Sequence, residues 1–319
     1  MTWLVLGGLL APALARRALA AVKVPRIGVV FPGVQGPSGQ AFEKALGGLG
    51  WVLGQTLHVE YRFARGDAAR VPALVAELIR LPVDALLVSS DAIPVAAEAT
   101  RTIPIVMTFA IDDPVERGWA ASLAQPGGNV TGITLYAPEL TAKRLELLKT
   151  AVLALRRVGV LAPGGVAGLG QVRAAEAAAH ALGLQAQVAG VREVGDYEPA
   201  FQAFRRETTQ GVLVLSSSAF YTERRRLADL ALQHRLPLVS PFREVSEAGG
   251  LLAYGPNVIE LWAQRVPSYV DRILKGARPG ALPIEQPSTF ELVVNQRTAR
   301  ALGLAMPPSL LVGADKVIE

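Results

Sequence analysis

Residues 83–108 read VDALLVSSDAIPVAAEATRTIPIVMT, and this stretch predicts the fold. Residues 83–89 and 103–108 are short, continuous apolar runs, which are typical of buried parallel strands. Residues 94–100 between them suit a short helix. A strand, a helix and a second strand in this order form the right-handed crossover unit of a parallel sheet.

The same alternation recurs on both sides of this stretch. Residues 26–31 (RIGVVF) and 57–63 (LHVEYRF) are strand-like and complete a first series. A second series again alternates strands with helices, and its last predicted helix ends at His234. Its predicted strands are 157–162, 185–191, 211–215 and 237–240, and its predicted helices are 169–182, 196–206 and 220–234. Two such series predict an α/β protein with two Rossmann-like lobes, each built on a parallel sheet.

The chain is expected to pass between the lobes several times. A glycine-rich stretch, residues 126–132 (PGGNVTG), separates the two series. After the second series come a helix at 258–274, a proline-punctuated segment at 279–287, and a strand and helix at 290–302. We therefore expect lobe one to comprise residues 22–131 plus 255–283, and lobe two residues 132–254 plus 284–319. A multi-crossover hinge would join them, with Gly128 and Gly132 supplying unusual dihedral angles.

Composition excludes several classes of protein. The chain has 319 residues, of which 51% are hydrophobic and 18% charged, so it is neither disordered nor fibrous. It has no cysteine and three separated histidines, which excludes disulfides and thiolate chemistry and predicts no metal site. The net charge of +5 is scattered, so nucleic acid is not an expected partner. No nucleophile motif appears, so we expect no catalytic residue, no cofactor and no enzyme activity.

The first 21 residues resemble an export signal. They read MTWLVLGGLLAPALARRALAA, with an apolar run too short to span a bilayer. Small residues at Ala13 and Ala15, and again at Ala18 and Ala20, fit cleavage near Ala15 to Ala21 and a periplasmic location. No basic residue precedes the apolar run, so a disordered or helical N-terminal extension is the alternative.

A series of ordered blocks resembles a known family. The blocks are IPIV at 103–106, DDPV at 112–115, SLAQPGGNVTG at 122–132, KRLELL at 143–148, AGGLLAYG at 248–255, ILKGARP at 273–279, FELVVN at 290–295 and ADKVIE at 314–319. From about residue 24 to the last residue, the chain resembles the ABC transporter substrate-binding proteins of the tryptophan and aromatic amino acid-binding kind. The resemblance implies a type I periplasmic-binding-protein fold, three crossovers, a ligand in the cleft, export, and an ABC permease as membrane partner.

Two loops depart from this family's pattern. Residues 163–170 (PGGVAGLG) are glycine-rich where the family usually has Asn-Pro, and residues 32–39 differ from the loop associated with tryptophan binders. Both loops follow strands, where a ligand would be contacted. The resemblance therefore leaves the identity of the solute open.

Candidate ligand-binding residues follow from the rule that ligands of parallel α/β sheets bind beyond the carboxyl ends of the strands. The candidates are Ser38, Ser89, Ser90, Asp91, Thr108, Asp112, Tyr136, Ser217, Ser218, Phe220 and Tyr254. Serine hydroxyls suit a carboxylate, Asp91 and Asp112 suit an ammonium group, and the aromatic rings suit a side chain. The alternative is that the serines only cap helices and that the tyrosines only pack.

The leading hypothesis is therefore an exported, monomeric solute-binding protein of an ABC importer, with an amino acid or related carboxylate as solute. A nucleotide-using enzyme built on one Rossmann-like lobe is an alternative. A ligand-sensing regulator of the same fold is another, disfavoured because no helix-turn-helix precedes Arg26.

Overall fold

The computed structural model describes residues 23–31, 37–165 and 168–319. The predicted leader lies outside the described residues. The strands are β1 (Arg26–Phe31), β2 (His58–Phe63), β3 (Ala85–Ser89), β4 (Ile105–Ala110), β5 (Val130–Thr134), β6 (Arg157–Pro163), β7 (Gln185–Val191), β8 (Gly211–Val214), β9 (Leu238–Ser240), β10 (Leu252–Gly255), β11 (Glu291–Asn295) and β12 (Lys316–Ile318). The α-helices are α1 (Pro37–Gly48), α2 (Val71–Arg80), α3 (Ala92–Ala99), α4 (Pro138–Ala151), α5 (Leu169–Ala181), α6 (Tyr197–Arg206), α7 (Ser218–Thr222), α8 (Arg224–Gln233), α9 (Arg243–Glu247), α10 (Val258–Gln264), α11 (Val266–Leu274), α12 (Gln296–Leu302) and α13 (Pro308–Val312).

The first lobe is built on a five-stranded sheet in the order β2-β1-β3-β4-β5. Every pairing in it is parallel. Its strands β3 and β5 are buried along their whole length because helices cover both faces of the sheet. The expected parallel α/β lobe is confirmed.

The second lobe is built on a seven-stranded sheet in the order β12-β11-β10-β9-β8-β6-β7. Its pairings are parallel except between β10 and β11, where Gly255 pairs with Glu291. The chain reaches β11 from the first lobe, at the edge where β10 ends, so β11 has to run in the opposite direction. This one antiparallel pair differs from the purely parallel sheet that the sequence predicts.

Each sheet has a core on both faces. In the first lobe, Leu78 and Ile93 pack on one face, and Phe42 packs on the other against Trp262 of α10. In the second lobe, Leu148 of α4 belongs to one core and the other contains α6 and α8. Burying each such side chain stabilises the fold by about 1.5–3 kcal/mol.

Three segments join the lobes within the described part of the chain: residues 135–137, 256–257 and 283–290. The third runs beside β5, where the Glu285 N–H donates to the Gly132 carbonyl at 2.8 Å and the Thr134 N–H donates to Glu285 at 3.0 Å. The expected boundary between residues 131 and 132 thus falls inside a strand of the first sheet.

Several elements differ in extent from the sequence prediction. The predicted helix at 258–274 is two helices, α10 and α11, because Pro267 lacks the N–H that a continuous helix would require. The predicted helix at 220–234 is likewise divided, into α7 and α8. The sequence pattern does not predict α4 or β5, although both belong to the cores.

Candidate functional site

Hydroxyl groups from the two lobes meet where β3 and β8 end. The Ser90 and Ser218 Oγ atoms are 2.7 Å apart, and the Ser218 N–H donates to Ser90 Oγ at 3.3 Å. Ser218 Oγ also donates to Ser89 Oγ at 3.4 Å. Ser89 and Ser90 lie in the first lobe and Ser218 begins α7 in the second, so these bonds cross the cleft.

The backbone at Ser90 is strained. Its φ is 43°, in the left-handed region that non-glycine residues rarely adopt. The register between β3 and β4 shifts between Val88 and Ser89, and the Ser90 N–H donates to the Phe109 carbonyl at 3.0 Å. Strain of this kind costs about 1–3 kcal/mol. Arg65, Thr208 and Arg235 also have positive φ, so the binding role of Ser90 stays a prediction.

Two carboxylates lie beside these hydroxyls. Asp112 is 5% exposed, and its Oδ1 accepts the Gly168 N–H of the second lobe at 2.8 Å. Burial raises the pKa of Asp112, although the Gly168 hydrogen bond and nearby Arg117 act against the shift. Burial and the negative charge of Asp112 raise the pKa of Asp91. The carboxylate of Asp91 has no hydrogen-bond or ion-pair partner among the described residues. Arg117 Nε lies 3.7 Å from Asp112, but Asp91 has no such cation in the described part of the chain, so the two carboxylates together retain negative charge that a cationic ligand group could compensate.

Further contacts between the lobes lie at the rim of the cleft. Arg173 of α5 forms an ion pair with Glu116 of the first lobe at 2.5 Å. The ring of Tyr136 lies against Gly170, where a Cβ would be only 3.0 Å from it. Together with the serine contacts, these show two lobes that are closed on each other.

Other predicted ligand residues have structural partners. Thr108 is 1% exposed and donates to the Val88 carbonyl at 3.3 Å. Ser217 caps α7 by accepting the N–H of the residue two positions on, and Phe220 is buried in the second lobe's core. Tyr254 packs on the other core, and its carbonyl accepts a hydrogen bond from a buried arginine. Their roles as ligand contacts stay predictions, and the structure gives each residue a hydrogen-bonding or packing role of its own.

The structure also locates Ser38 and the two predicted hinge glycines. Ser38 is the second residue of α1, but its side chain is not among those that the structure describes. Gly128 precedes β5 at the end of the sheet opposite the crossovers, and Gly132 lies inside β5. A Cβ at Gly132 would be 2.2 Å from the Met107 carbonyl oxygen, so close strand packing requires glycine there. The part of these glycines in hinge motion stays a prediction.

Sequence patterns missed several residues that shape the site. Gly168 contributes a backbone N–H, and the type of a residue does not indicate that its backbone will bind. Gln171 binds both backbone groups of Ser216, donating to its carbonyl at 3.0 Å and accepting its N–H at 2.9 Å. This pairing fixes the loop after β8. Only the glycine run before α5 hinted at a backbone role.

Within the described ranges, no group of three His, Asp or Glu side chains is placed to hold a metal ion. Nor does any helix in those ranges combine the length and apolar character needed to cross a membrane.

Two α/β lobes joined by three crossovers, with polar groups converging at the strand ends, define a type I periplasmic-binding-protein fold. The family model described as "ABC transporter substrate binding protein" matches residues 34–318. The chain belongs to this family of ABC transporter substrate-binding proteins.

Three similar proteins illustrate the family. A "Tyrosine-binding protein" of Clostridioides difficile (strain R20291) is 24% identical over 267 residues, covering 83% of this chain and 76% of its own. An ABC domain in complex with L-Trp from Streptococcus pneumonia has a TM-score of 0.81 and 22% identity, covering 92% of this chain and 99% of its own. A ligand-free, open substrate binding protein from Clostridium difficile has a TM-score of 0.62 and 22% identity, with the same coverage of both chains.

Proposed function

We propose that this protein is exported, captures an aromatic or similar amino acid between its lobes, and delivers it to the membrane permease of an ABC importer. The observation that carries the proposal is the convergence of Ser90, Ser218 and Asp112 at the cleft, with contacts from both lobes. A solute that enters there would contact both sheets only when the lobes are closed. Binding would then shift the population from open to closed.

The chemistry of the site fits the two charged groups of an amino acid. The hydroxyls of Ser89, Ser90 and Ser218 can donate to a carboxylate after exchanging their mutual hydrogen bonds. Asp91 and Asp112 can accept from an α-ammonium group, which would relieve the repulsion between them. Each hydrogen bond to a charged group contributes about 1.5–3 kcal/mol.

The relatives support an aromatic solute. One is named a tyrosine-binding protein and another was solved with L-Trp. Tyr136 and Tyr221 are half-buried near the strand ends and offer aromatic surface for such a side chain. The greater similarity to the L-Trp complex than to the open, ligand-free protein also agrees with closed lobes.

We further propose that residues 1–21 are a signal peptide removed on export, and that the mature protein acts as a monomer without nucleic acid or cofactor. N-terminal sequencing of the protein from the cell envelope tests this. Cytosolic protein that retains Met1 would contradict it.

A thermal-shift screen of amino acids, other small carboxylates, nucleosides and sugars tests the choice of solute. A ligand at a hundred times its dissociation constant adds about 2.7 kcal/mol of stability, which raises the melting temperature by several degrees. We expect tyrosine, tryptophan or phenylalanine to give the largest shift. A shift with nucleosides or sugars alone would overturn the amino acid proposal and leave the solute-binding role intact.

A further inference from the structure

A buried arginine at the hinge has no acidic partner in contact. Arg144 of α4 is 4% exposed, and its Nε donates to the Tyr254 carbonyl at 2.7 Å. Burial lowers the pKa of Arg144 to about 10. Among the described residues, no carboxylate forms an ion pair with Arg144, and the terminal nitrogens of its guanidinium have no hydrogen-bond acceptor. The acidic side chain that influences it is Glu139, which lines the same cavity as Arg144 but is exposed and forms no ion pair with it.

These free donors line a small cavity of about 70 Å³. Ser216 lines the same cavity, and its Oγ has no hydrogen-bond partner among the described residues, although Gln171 holds its backbone. Leu135, Pro256 and Gln286 also line it, one from each of the three segments that join the lobes. The cavity therefore lies at the hinge and is enclosed by every crossover.

We propose that this hinge cavity is a second binding site, which takes a small monovalent anion, a carboxylate or a halide, on the Arg144 guanidinium and the Ser216 hydroxyl. A buried guanidinium without a counterion is strongly unfavourable, and an anion with two or three acceptor positions would compensate its charge. One cationic group and one hydroxyl suit a single negative charge better than a phosphate.

Occupancy of this site would be linked to the hinge. Arg144 lies in α4, just after the first crossover. Its hydrogen bond to the Tyr254 carbonyl connects it to β10, the strand that leads into the second crossover. An anion bound to Arg144 would contact the walls supplied by all three crossovers and would favour the lobe arrangement in which those walls come together. Anion concentration would then modulate solute capture from a place separate from the solute.

Formate is the probe, because it is the smallest carboxylate. The purified protein, free of amino acids, is melted across a formate series in which sodium pivalate keeps the ionic strength constant, since its tert-butyl group is too bulky for the cavity. We expect the melting temperature to rise as formate replaces pivalate. Arg144→Gln should lower formate affinity by tenfold or more, and Glu139→Gln should raise it, because it removes the nearby negative charge.

Ser216→Ala keeps the test decisive if Arg144→Gln does not fold, and it should weaken formate binding by several-fold. Equal melting curves in formate and pivalate would overturn the proposal, as would variants that respond to formate like the natural protein. A repeat with saturating amino acid separates the two sites. A formate response that persists supports a separate site, and one that is abolished shows that Arg144 holds the solute's own carboxylate. The first series contains no solute, so its outcome is independent of the proposed function.

Discussion

Asp112→Asn should weaken binding of an amino acid solute without weakening binding of the same solute that lacks its amino group. Asparagine has nearly the same shape as aspartate and can still accept the Gly168 N–H, which Asp112 accepts at 2.8 Å. The substitution therefore keeps the contact between the lobes and removes the negative charge, together with its ion pair to Arg117 Nε at 3.7 Å. An α-ammonium group would lose that charge as a partner, whereas a deaminated analogue would lose nothing.

The size of the effect follows from the burial of the carboxylate. Asp112 is 5% exposed, so solvent screens its interaction with a bound ammonium group only weakly. A hydrogen bond between charged groups contributes about 1.5–3 kcal/mol, which corresponds to a loss of about ten- to over a hundredfold in affinity. The stability of the empty protein should change little, because the burial that disfavours the charged carboxylate acts against the stabilising ion pair with Arg117 that the substitution removes.

Calorimetric titration of phenylalanine and of 3-phenylpropionate measures the two affinities. Asp113→Asn is the matched control, because Asp113 is adjacent but accepts the backbone N–H groups of Val115 and Glu116 instead. The control should bind both compounds normally. Equal losses of affinity for the two compounds in Asp112→Asn would refute the role of this carboxylate as the ammonium partner.

Two further predictions concern packing and closure. Gly132→Ala should destabilise the protein by about 3 kcal/mol or more in a denaturant titration, because its Cβ would be 2.2 Å from the Met107 carbonyl oxygen. The control Gly47→Ala in α1 would place a Cβ with no atom within 4 Å, and it should stabilise the protein by about 0.5–1 kcal/mol. Arg173→Glu should weaken solute binding by no more than about fivefold, since its ion pair with Glu116 is exposed. Adding Glu116→Arg should restore the affinity by forming the pair with its charges exchanged. A double variant as weak as the single one would contradict a role for this pair in closure.

Much of the fold follows from the sequence because buried parallel strands are continuous apolar runs. Residues 83–89 and 103–108 predicted β3 and β4 closely for this reason. The pattern did not predict the strand β5 (VTGIT), because it contains two threonines and a glycine and only two apolar residues. The helix α4 carries charges on several sides, including a buried arginine, so its apolar face is weakly marked.

The site was predicted less completely because the carboxyl-end rule locates loops but does not determine where side chains point. It identified Ser90 and Asp112, which reach the opposite lobe. It also selected Phe220, which lies after the same strand as Ser218 but packs into the core. The Gly168 N–H could not be found this way, because every residue except proline carries one.

The order of strands in the second sheet bears on how the chain can fold during synthesis. β11 and β12 lie next to β10 but are made after α10 and α11, which pack on the first lobe. Both lobes therefore lack part of their core until the C-terminal third of the chain has emerged. At about 5–20 residues per second, the ribosome needs several seconds or more to pass from β10 to β12. A newly made chain thus lacks a complete second sheet until β12 has been synthesised, which would keep it accessible to chaperones throughout that interval.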